Sequence, residues 1–159
     1  EGPLKSAEPV QAFENLTGHG HPGRFADATE AVGLDAAPRV IGRGLAAADF
    51  DNDGHVDIAV NSIGGKLMLL RNTGAKGNWL SVRLPAFAPG AVVTAVLPDG
   101  RRLVQELHAG SSYLSSEDPR AHFGLGPEKT VRELIVRYPG GREVRRSGVA
   151  ANQVLSVGR

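Results

Sequence analysis

Four aspartates crowd into nine residues of the chain, at 49–57, where the sequence reads Asp-Phe-Asp-Asn-Asp-Gly-His-Val-Asp. Carboxylates a few ångström apart disfavour joint ionisation, so this segment, here called the acidic loop, needs a positive partner. Calcium suits it because that ion accepts about six to eight oxygen ligands in flexible geometry, whereas magnesium demands a near-octahedral shell and keeps its water. The acidic loop is therefore predicted to bind calcium rather than to catalyse a reaction.

Five residues of the acidic loop are predicted to coordinate the ion, in chain order Asp49, Asp51, Asp53, His55 and Asp57. The aspartates provide carboxylate oxygens and His55 its backbone carbonyl, while Gly54 allows the sharp turn between them. An EF-hand begins in the same way but has a glutamate at its twelfth position, where this chain has Val60. Strands rather than helices also flank the loop, so an EF-hand is disfavoured. The alternative is an acidic turn without a ligand.

Two histidine-containing groups are weaker candidates. His19 and His21 offer two imidazoles to zinc, but the surrounding segment is rich in glycine and proline and provides no third or fourth ligand nearby. Glu106 and His108 lie two apart on a predicted strand, hence on one face, where an acid/base pair is conceivable. A solvated strand face is the simpler interpretation of the second group.

A serine-rich segment, residues 111–116, lies close to Asp118 and His122 and so contains the residue types of a Ser/His/Asp triad. It lacks the Gly-x-Ser-x-Gly turn that presents a nucleophile, and closeness in sequence does not establish triad geometry. Catalysis by this set of residues is therefore disfavoured. Arginines give the second half of the chain a basic tilt, suited to docking or to an anionic glycan or carboxylate: Arg101, Arg102, Arg120, Arg132, Arg137, Arg142, Arg145, Arg146 and Arg159.

The overall composition excludes some function classes. Lys and Arg number 18 against 17 Asp and Glu, which leaves a net charge of +1 and no field to attract nucleic acid. There is no cysteine for a disulfide or a thiolate, and no apolar run of about 18 residues for a membrane span. The chain does not open with a basic segment and an apolar h-region, so we expect a soluble protein or the processed part of a longer one.

The secondary structure is predicted to be all-β, because 21 glycines and 10 prolines interrupt the chain and helical periodicity is scarce. Residues 1–22 are expected to form a linker or irregular edge, residues 23–74 a small antiparallel sheet with the acidic loop, and residues 77–158 an antiparallel β-sandwich or barrel. Apolar or β-rich stretches mark the predicted strands, at residues 25–29, 45–50, 56–61, 66–72, 79–84, 91–97, 101–109, 131–138, 143–147 and 154–157.

Residues 44–60, Gly-Leu-Ala-Ala-Ala-Asp-Phe-Asp-Asn-Asp-Gly-His-Val-Asp-Ile-Ala-Val, resemble the FG-GAP (VCBS-type) repeat, the blade unit of integrin-like β-propellers. The resemblance implies that residues 23–74 form a calcium-binding propeller blade. Propellers need about four to eight blades to close, and the chain has one acidic loop. We therefore expect a C-terminal fragment, or remaining blades supplied by the same or another chain.

The second half resembles the ASPIC/UnbV domain through five motifs in the family's order. They are Gly-Asn-Trp-Leu at 77–80, Gly-Ser-Ser-Tyr-Leu-Ser at 110–115, His-Phe-Gly-Leu-Gly at 122–126, Tyr-Pro-Gly-Gly at 138–141 and Asn-Gln-Val-Leu at 152–155. Two positions depart from the family pattern: Tyr138 stands where Trp is usual, and Ser112 where Gly is common. Both segments keep residues that favour a turn, but the two replacements are expected to alter a surface contact.

The two resemblances together imply a non-catalytic interaction module that is extracellular or at the cell surface. Structural calcium would hold a rigid surface for a protein or carbohydrate partner. A different class of function is implied by some bacterial members of the family, namely an enzyme component or accessory protein of enediyne-type natural-product biosynthesis. No residue set in the sequence supports a specific reaction.

Overall fold

The structure, a computed structural model, describes residues 6–74 and 76–158 and contains twelve β-strands in this range. A short 3₁₀ helix at Leu16–His19 accompanies them, and the all-β prediction is confirmed. Across these residues, no helix has the length and apolar character that a membrane span requires. The strands are β1 (Phe13–Asn15), β2 (Phe25–Asp27), β3 (Gly42–Ala48), β4 (Asp57–Ser62), β5 (Met68–Leu70), β6 (Asn78–Arg83), β7 (Val92–Val96), β8 (Arg102–Glu106), β9 (Ala121–Gly126), β10 (Thr130–Arg137), β11 (Glu143–Ala150) and β12 (Gln153–Ser156).

Part of the segment expected to be a linker or irregular edge, residues 1–22, forms a strand. β1 pairs with β2 in antiparallel register, with Asn15 opposite Phe25. The Asn15 side chain accepts a hydrogen bond from the N–H of Thr17 (2.9 Å) and caps the 3₁₀ helix between the two strands. A strand of three residues is too short to show periodicity in the sequence. Residues 1–5 lie outside the described range.

Strands β3, β4 and β5 form an antiparallel sheet in the order β3-β4-β5, here called the acidic-loop sheet. The acidic loop connects β3 to β4, and Ala48 at the end of β3 pairs with Asp57 at the start of β4. This pairing brings the two ends of the loop side by side. The sheet buries little apolar surface. Val60 is buried, at 6% exposed, but Leu69 on the neighbouring strand is 54% exposed.

Strands β6 to β12 form two sheets, in the orders β11-β10-β7-β8 and β12-β6-β9, that share one apolar core. Core positions recur at every second residue, as on β9, where Ala121, Phe123 and Leu125 are buried and His122 and Gly124 alternate with them. Each fully buried aliphatic side chain contributes about 1.5–3 kcal/mol of hydrophobic free energy. The two sheets make a β-sandwich, called the sandwich below.

The sandwich differs from its prediction in two strands. β12 pairs with β6 in parallel, with Gln153 opposite Leu80, although an antiparallel arrangement was expected. Parallel neighbours need a long crossover connection, and here the five intervening strands provide it. The second difference is β9, which was not among the predicted strands because Gly124 and Gly126 interrupt its apolar pattern.

Candidate metal centre

Three carboxylates of the acidic loop converge in the structure. One oxygen from each of Asp49, Asp51 and Asp57 lies within 4.8 Å of the other two. Asp49 and Asp57 are 3% and 2% exposed, whereas Asp51 is at the surface. The pairing of β3 with β4 produces this geometry, because it holds Asp57 beside Ala48, the residue that precedes Asp49.

Backbone N–H groups fix the two buried carboxylates. Asp49 accepts hydrogen bonds from the N–H groups of Asp53 and Gly54, both at 3.0 Å. Asp57 accepts from the N–H groups of Phe50 (3.3 Å) and Asn72 (2.8 Å). A carboxylate has about four lone-pair positions, so two such bonds leave each group with capacity to bind a cation.

Asp53, the fourth predicted carboxylate ligand, lies outside the group of three. Its Oδ1 accepts from the N–H of His55 (2.9 Å), and its Oδ2 accepts from the guanidinium of Arg71 (3.2 Å). The bond from His55 is the main cause that lowers the pKa of Asp53, and Arg71 lowers it further. The imidazole of His55 faces the same carboxylate, with Nδ1 3.3 Å from Oδ1. Arg71 also lies 2.7 Å from an oxygen of Asp51, so one guanidinium bridges two carboxylates.

The group of three carboxylates suits a calcium ion in donor type and in spacing. Ca–O distances are about 2.3–2.6 Å, so two ligands on opposite sides of the ion lie up to about 5 Å apart. The observed oxygen separations, no larger than 4.8 Å, satisfy this limit. All three donors are oxygens, which hard divalent cations prefer. The arrangement is suited to binding a cation.

Arg120 of the sandwich contacts the acidic loop. Its guanidinium donates to Oδ1 of Asn52 (2.6 Å) and to the backbone carbonyl of Asp49 (2.7 Å). Asp118 accepts from Nε of Arg120 through both carboxylate oxygens, at 2.9 and 2.7 Å, and the Arg120 side chain is 9% exposed. Burial raises the pKa of Asp118, but the hydrogen bonds and charge of Arg120 outweigh this effect and the pKa is lowered. An internal ion pair thus anchors the loop to the sandwich.

Gly54 of the acidic loop packs against Trp79 of β6. A Cβ atom at Gly54 would lie 2.0 Å from Nε1 of Trp79, and the φ of Gly54 is +92°. Trp79 stacks on His122 of β9, with ring centroids 5.9 Å apart and an interplanar angle of 13°. Burial is the main cause that lowers the pKa of His122, and the carboxylate of Asp49 opposes it. The loop therefore rests on an aromatic platform formed by Trp79 and His122.

The serine-rich segment contacts the acidic-loop sheet rather than forming a triad. The Oγ of Ser112 accepts from the N–H of Leu45 (3.2 Å), and Ser115 donates from Oγ to the carbonyl of Leu45 (2.7 Å). Ser116 donates to the carbonyl of Ala109. All three hydroxyls bond backbone groups, and those of Ser112 and Ser115 attach this segment to β3.

Neither histidine-containing group is part of the carboxylate cluster formed by Asp49, Asp51 and Asp57. Nε2 of His19 is 3.1 Å from the carboxylate of Glu14, and both side chains are exposed. His108 and Glu106 are also exposed, with Nδ1 and Oε1 3.9 Å apart. The junction between loop and sandwich contains a partly open pocket of about 120 Å³, and its lining includes Asp49, Gln105, Asp118, Arg120 and His122.

Several arginines of the predicted basic surface pair with acidic side chains on the sandwich. The pairs are Arg101 with Asp99, Arg137 with Glu143, and Arg145 with both Glu133 and Glu143. Pairing reduces the net field available to an anionic ligand. Arg159 lies outside the described residues.

Comparison with known proteins relates the sandwich to a family. Residues 82–159 match the family model described as ASPIC and UnbV. This part of the chain is therefore similar to the ASPIC/UnbV domain, in agreement with its motifs. Asn78 and Trp79, at the start of β6, lie just before the matched range.

The same comparison finds relatives that share more than this domain. The chain is 36% identical over 128 residues to Cartilage acidic protein 1 of Mus musculus. This alignment covers 76% of the chain and 20% of the mouse protein. The human protein is 35% identical over 128 residues, covering 76% and 19%, and the Xenopus tropicalis protein 36% over 124 residues, covering 73% and 19%. A match of this extent exceeds residues 82–159, so the similarity continues into the preceding residues. The chain spans about a fifth of the length of these curated relatives.

Proposed function

We propose that the acidic loop binds one calcium ion and that the ion is structural. The observation that carries this proposal is the convergence of Asp49, Asp51 and Asp57 within 4.8 Å, two of them almost fully buried. A buried group of carboxylates without a cation costs free energy, because the like charges repel one another in a medium of low dielectric. Asp53 and the carbonyl of His55 would complete the oxygen shell after Asp53 leaves Arg71.

In this proposal residues 23–74 are an FG-GAP/VCBS-like blade of a larger propeller protein, and the ASPIC/UnbV domain follows the blade. Support comes from the three-stranded antiparallel sheet, the loop between its first two strands, and the similarity to a longer protein, of which the match covers 20%. A three-stranded sheet with little buried apolar surface needs a neighbour to cover it. The remaining blades, in the same chain or another, would supply that neighbour.

The whole protein is proposed to act as a non-catalytic extracellular or cell-surface module that binds a protein or a carbohydrate. Ser112 and Ser115, which could support catalysis, bond backbone groups, and the side chains of Glu106 and His108 are exposed. At the junction, the hydrogen bond from Arg120 to the Asp49 carbonyl and the stacked rings of Trp79 and His122 hold the loop against the sandwich. Such contacts suit a rigid surface for recognition.

The calcium proposal is tested by thermal unfolding with calcium and with a chelator. Free calcium at 100 times the Kd would add about 2.7 kcal/mol to the free energy of unfolding, which raises the Tm by several degrees. Asp51→Asn keeps the shape of the side chain and removes its charge, so we expect it to abolish most of this increase. Asp99→Asn is the matched control, since Asp99 pairs with Arg101 on an exposed turn. An unchanged Tm on chelation, together with no heat of calcium binding by calorimetry, would contradict the proposal.

A further inference from the structure

Arg120 hydrogen-bonds to two groups whose positions depend on the shape of the acidic loop. Asn52 has a φ of +59° and so sits at a tight bend, and the backbone carbonyl of Asp49 accepts a hydrogen bond from Arg120. One side-chain oxygen of Asp49 instead lies within 4.8 Å of a carboxylate oxygen of Asp51 and of Asp57. Asp49 therefore faces the proposed ion with its side chain and Arg120 with its backbone.

Asp118 makes this arrangement compatible with a cation. A lone guanidinium next to the metal centre would repel the ion, but Asp118 bonds Nε of Arg120 through both of its oxygens and neutralises the charge. The Arg120 side chain is 9% exposed and that of Asp118 17%, so solvent screens the pair weakly. Arg120 can thus hold the loop without opposing the ion.

We propose that cation binding to the acidic loop and docking of the loop onto the ASPIC/UnbV domain are one coupled equilibrium, with Arg120 as the residue that joins them. This inference rests on the proposed calcium site. The ion fixes the loop backbone, which places Asn52 and the Asp49 carbonyl where Arg120 needs them. By thermodynamic reciprocity, docking through Arg120 orders the loop in advance and strengthens cation binding.

Trp79 of the aromatic platform provides a luminescence signal that reports both cation binding to the loop and docking of the loop onto the sandwich. Trp79 is the single tryptophan of the chain and touches Gly54 in the loop. Terbium, a calcium substitute whose luminescence an adjacent indole sensitises, would therefore report occupancy of the loop and its contact with Trp79 together. Calcium displacement of terbium, and calorimetry with calcium alone, give the affinity independently of that contact.

The test compares Arg120→Gln with Arg101→Gln. The two arginines have the same local geometry, because each follows an aspartate by two residues and bonds it through both backbone N–H and side chain, but Arg101 does not reach the loop. We expect Arg120→Gln to weaken calcium binding at least about fivefold, the lower end of common coupling strengths. Terbium luminescence at saturation should also fall. Arg101→Gln should bind as the wild type does.

Each outcome has a defined meaning. If Arg120→Gln binds calcium as tightly as the wild type, the coupling is wrong and the calcium site stands. If the wild type itself binds no calcium, both proposals are wrong. If Arg120→Gln fails to fold by circular dichroism, Asn52→Gly replaces it, because glycine accepts the φ of +59° and removes the oxygen that Arg120 bonds while leaving the sandwich intact. Unchanged calcium affinity in that variant would likewise overturn the coupling.

Discussion

The acidic-loop sheet and the sandwich bury different kinds of groups. The sandwich has sixteen buried apolar residues in one cluster, drawn from both of its sheets. Over the range of β3 to β5, Val60 is the one buried hydrophobic side chain, while two carboxylates, Asp49 and Asp57, are buried in the loop that joins β3 to β4. Apolar burial stabilises without a ligand, whereas buried carboxylates need a counter-charge.

This difference implies that the two regions respond to different perturbations. The stability of the sandwich should depend on core volume and be insensitive to divalent cations. The stability of the acidic-loop sheet should depend on the ion, on its attachment to the sandwich and, without the ion, on Arg71. Variants in the interior of one region, away from the contacts of Arg120 with the loop, should therefore leave the other region's dependence unchanged.

The largest expected effect is in the core of the sandwich. Leu134 on β10 is 1% exposed, and Leu134→Ala should lower the free energy of unfolding by about 2–5 kcal/mol through lost apolar contact and the cavity left behind. The loss should be equal in calcium and in chelator, as measured by urea denaturation. Leu69→Ala, at a side chain 54% exposed on β5, is the control and should cost much less. A Leu134→Ala penalty that depended on calcium would show that the two regions do not unfold separately.

A smaller effect is expected where the two regions touch. Gly54→Ala adds a Cβ that would lie 2.0 Å from Trp79 at a φ of +92°, and should cost roughly 2–4 kcal/mol from overpacking and backbone strain. Gly100→Ala separates the two causes, because Gly100 has a φ of +91° but open space around it. That control should show the strain alone, about 1–2 kcal/mol. Equal penalties for the two variants would mean that the loop does not press on Trp79; tryptophan fluorescence should change in Gly54→Ala alone.

The smallest expected effect comes from Arg71, whose exposed guanidinium bridges Asp51 and Asp53. Arg71→Gln should lower the Tm slightly in chelator, because the carboxylates lose their internal cation. In calcium it should tighten binding by less than about tenfold, since a competing positive charge is removed and salt screens such surface charges. Arg43→Gln is the control, because Arg43 donates to the carbonyl of Gly42 in the same sheet. Weaker calcium binding by Arg71→Gln would show that Arg71 supports the ion instead of replacing it.

Local patterns in the sequence predicted much of the fold. β7 and β8 follow from alternating apolar residues around the turn at Pro98-Asp99-Gly100, and β10 and β11 from the turn at Pro139-Gly140-Gly141. The parallel pairing of β6 with β12 could not be predicted in this way, because Leu80 and Gln153 are far apart in the chain and no turn specifies their register.

The sequence likewise predicted only the part of the candidate site that depends on a local pattern. Alternation of the aspartates is a local signal, and the structure brings three of them together. Asp53 faces Arg71, which comes from the end of β5 and leaves no trace in the loop sequence. Arg120 resembles any surface arginine that pairs with an aspartate two residues earlier, and its contacts with Asn52 and Asp49 span 68 and 71 residues of chain.

The parallel pairing of β12 with β6 has a consequence for how the protein folds during synthesis. Trp79 is fixed by β12's neighbour Asn152, whose N–H donates to the Trp79 carbonyl (2.6 Å) and whose side chain accepts from the Trp79 N–H (3.1 Å). The ribosome makes the acidic loop and β6 first, so both must wait for Asn152 before the platform under the loop is complete. Non-local pairings of this kind slow folding and leave unpaired edges exposed in the meantime. In a nascent chain, the edge of β6 that faces β12 therefore stays unpaired until β12 has been made.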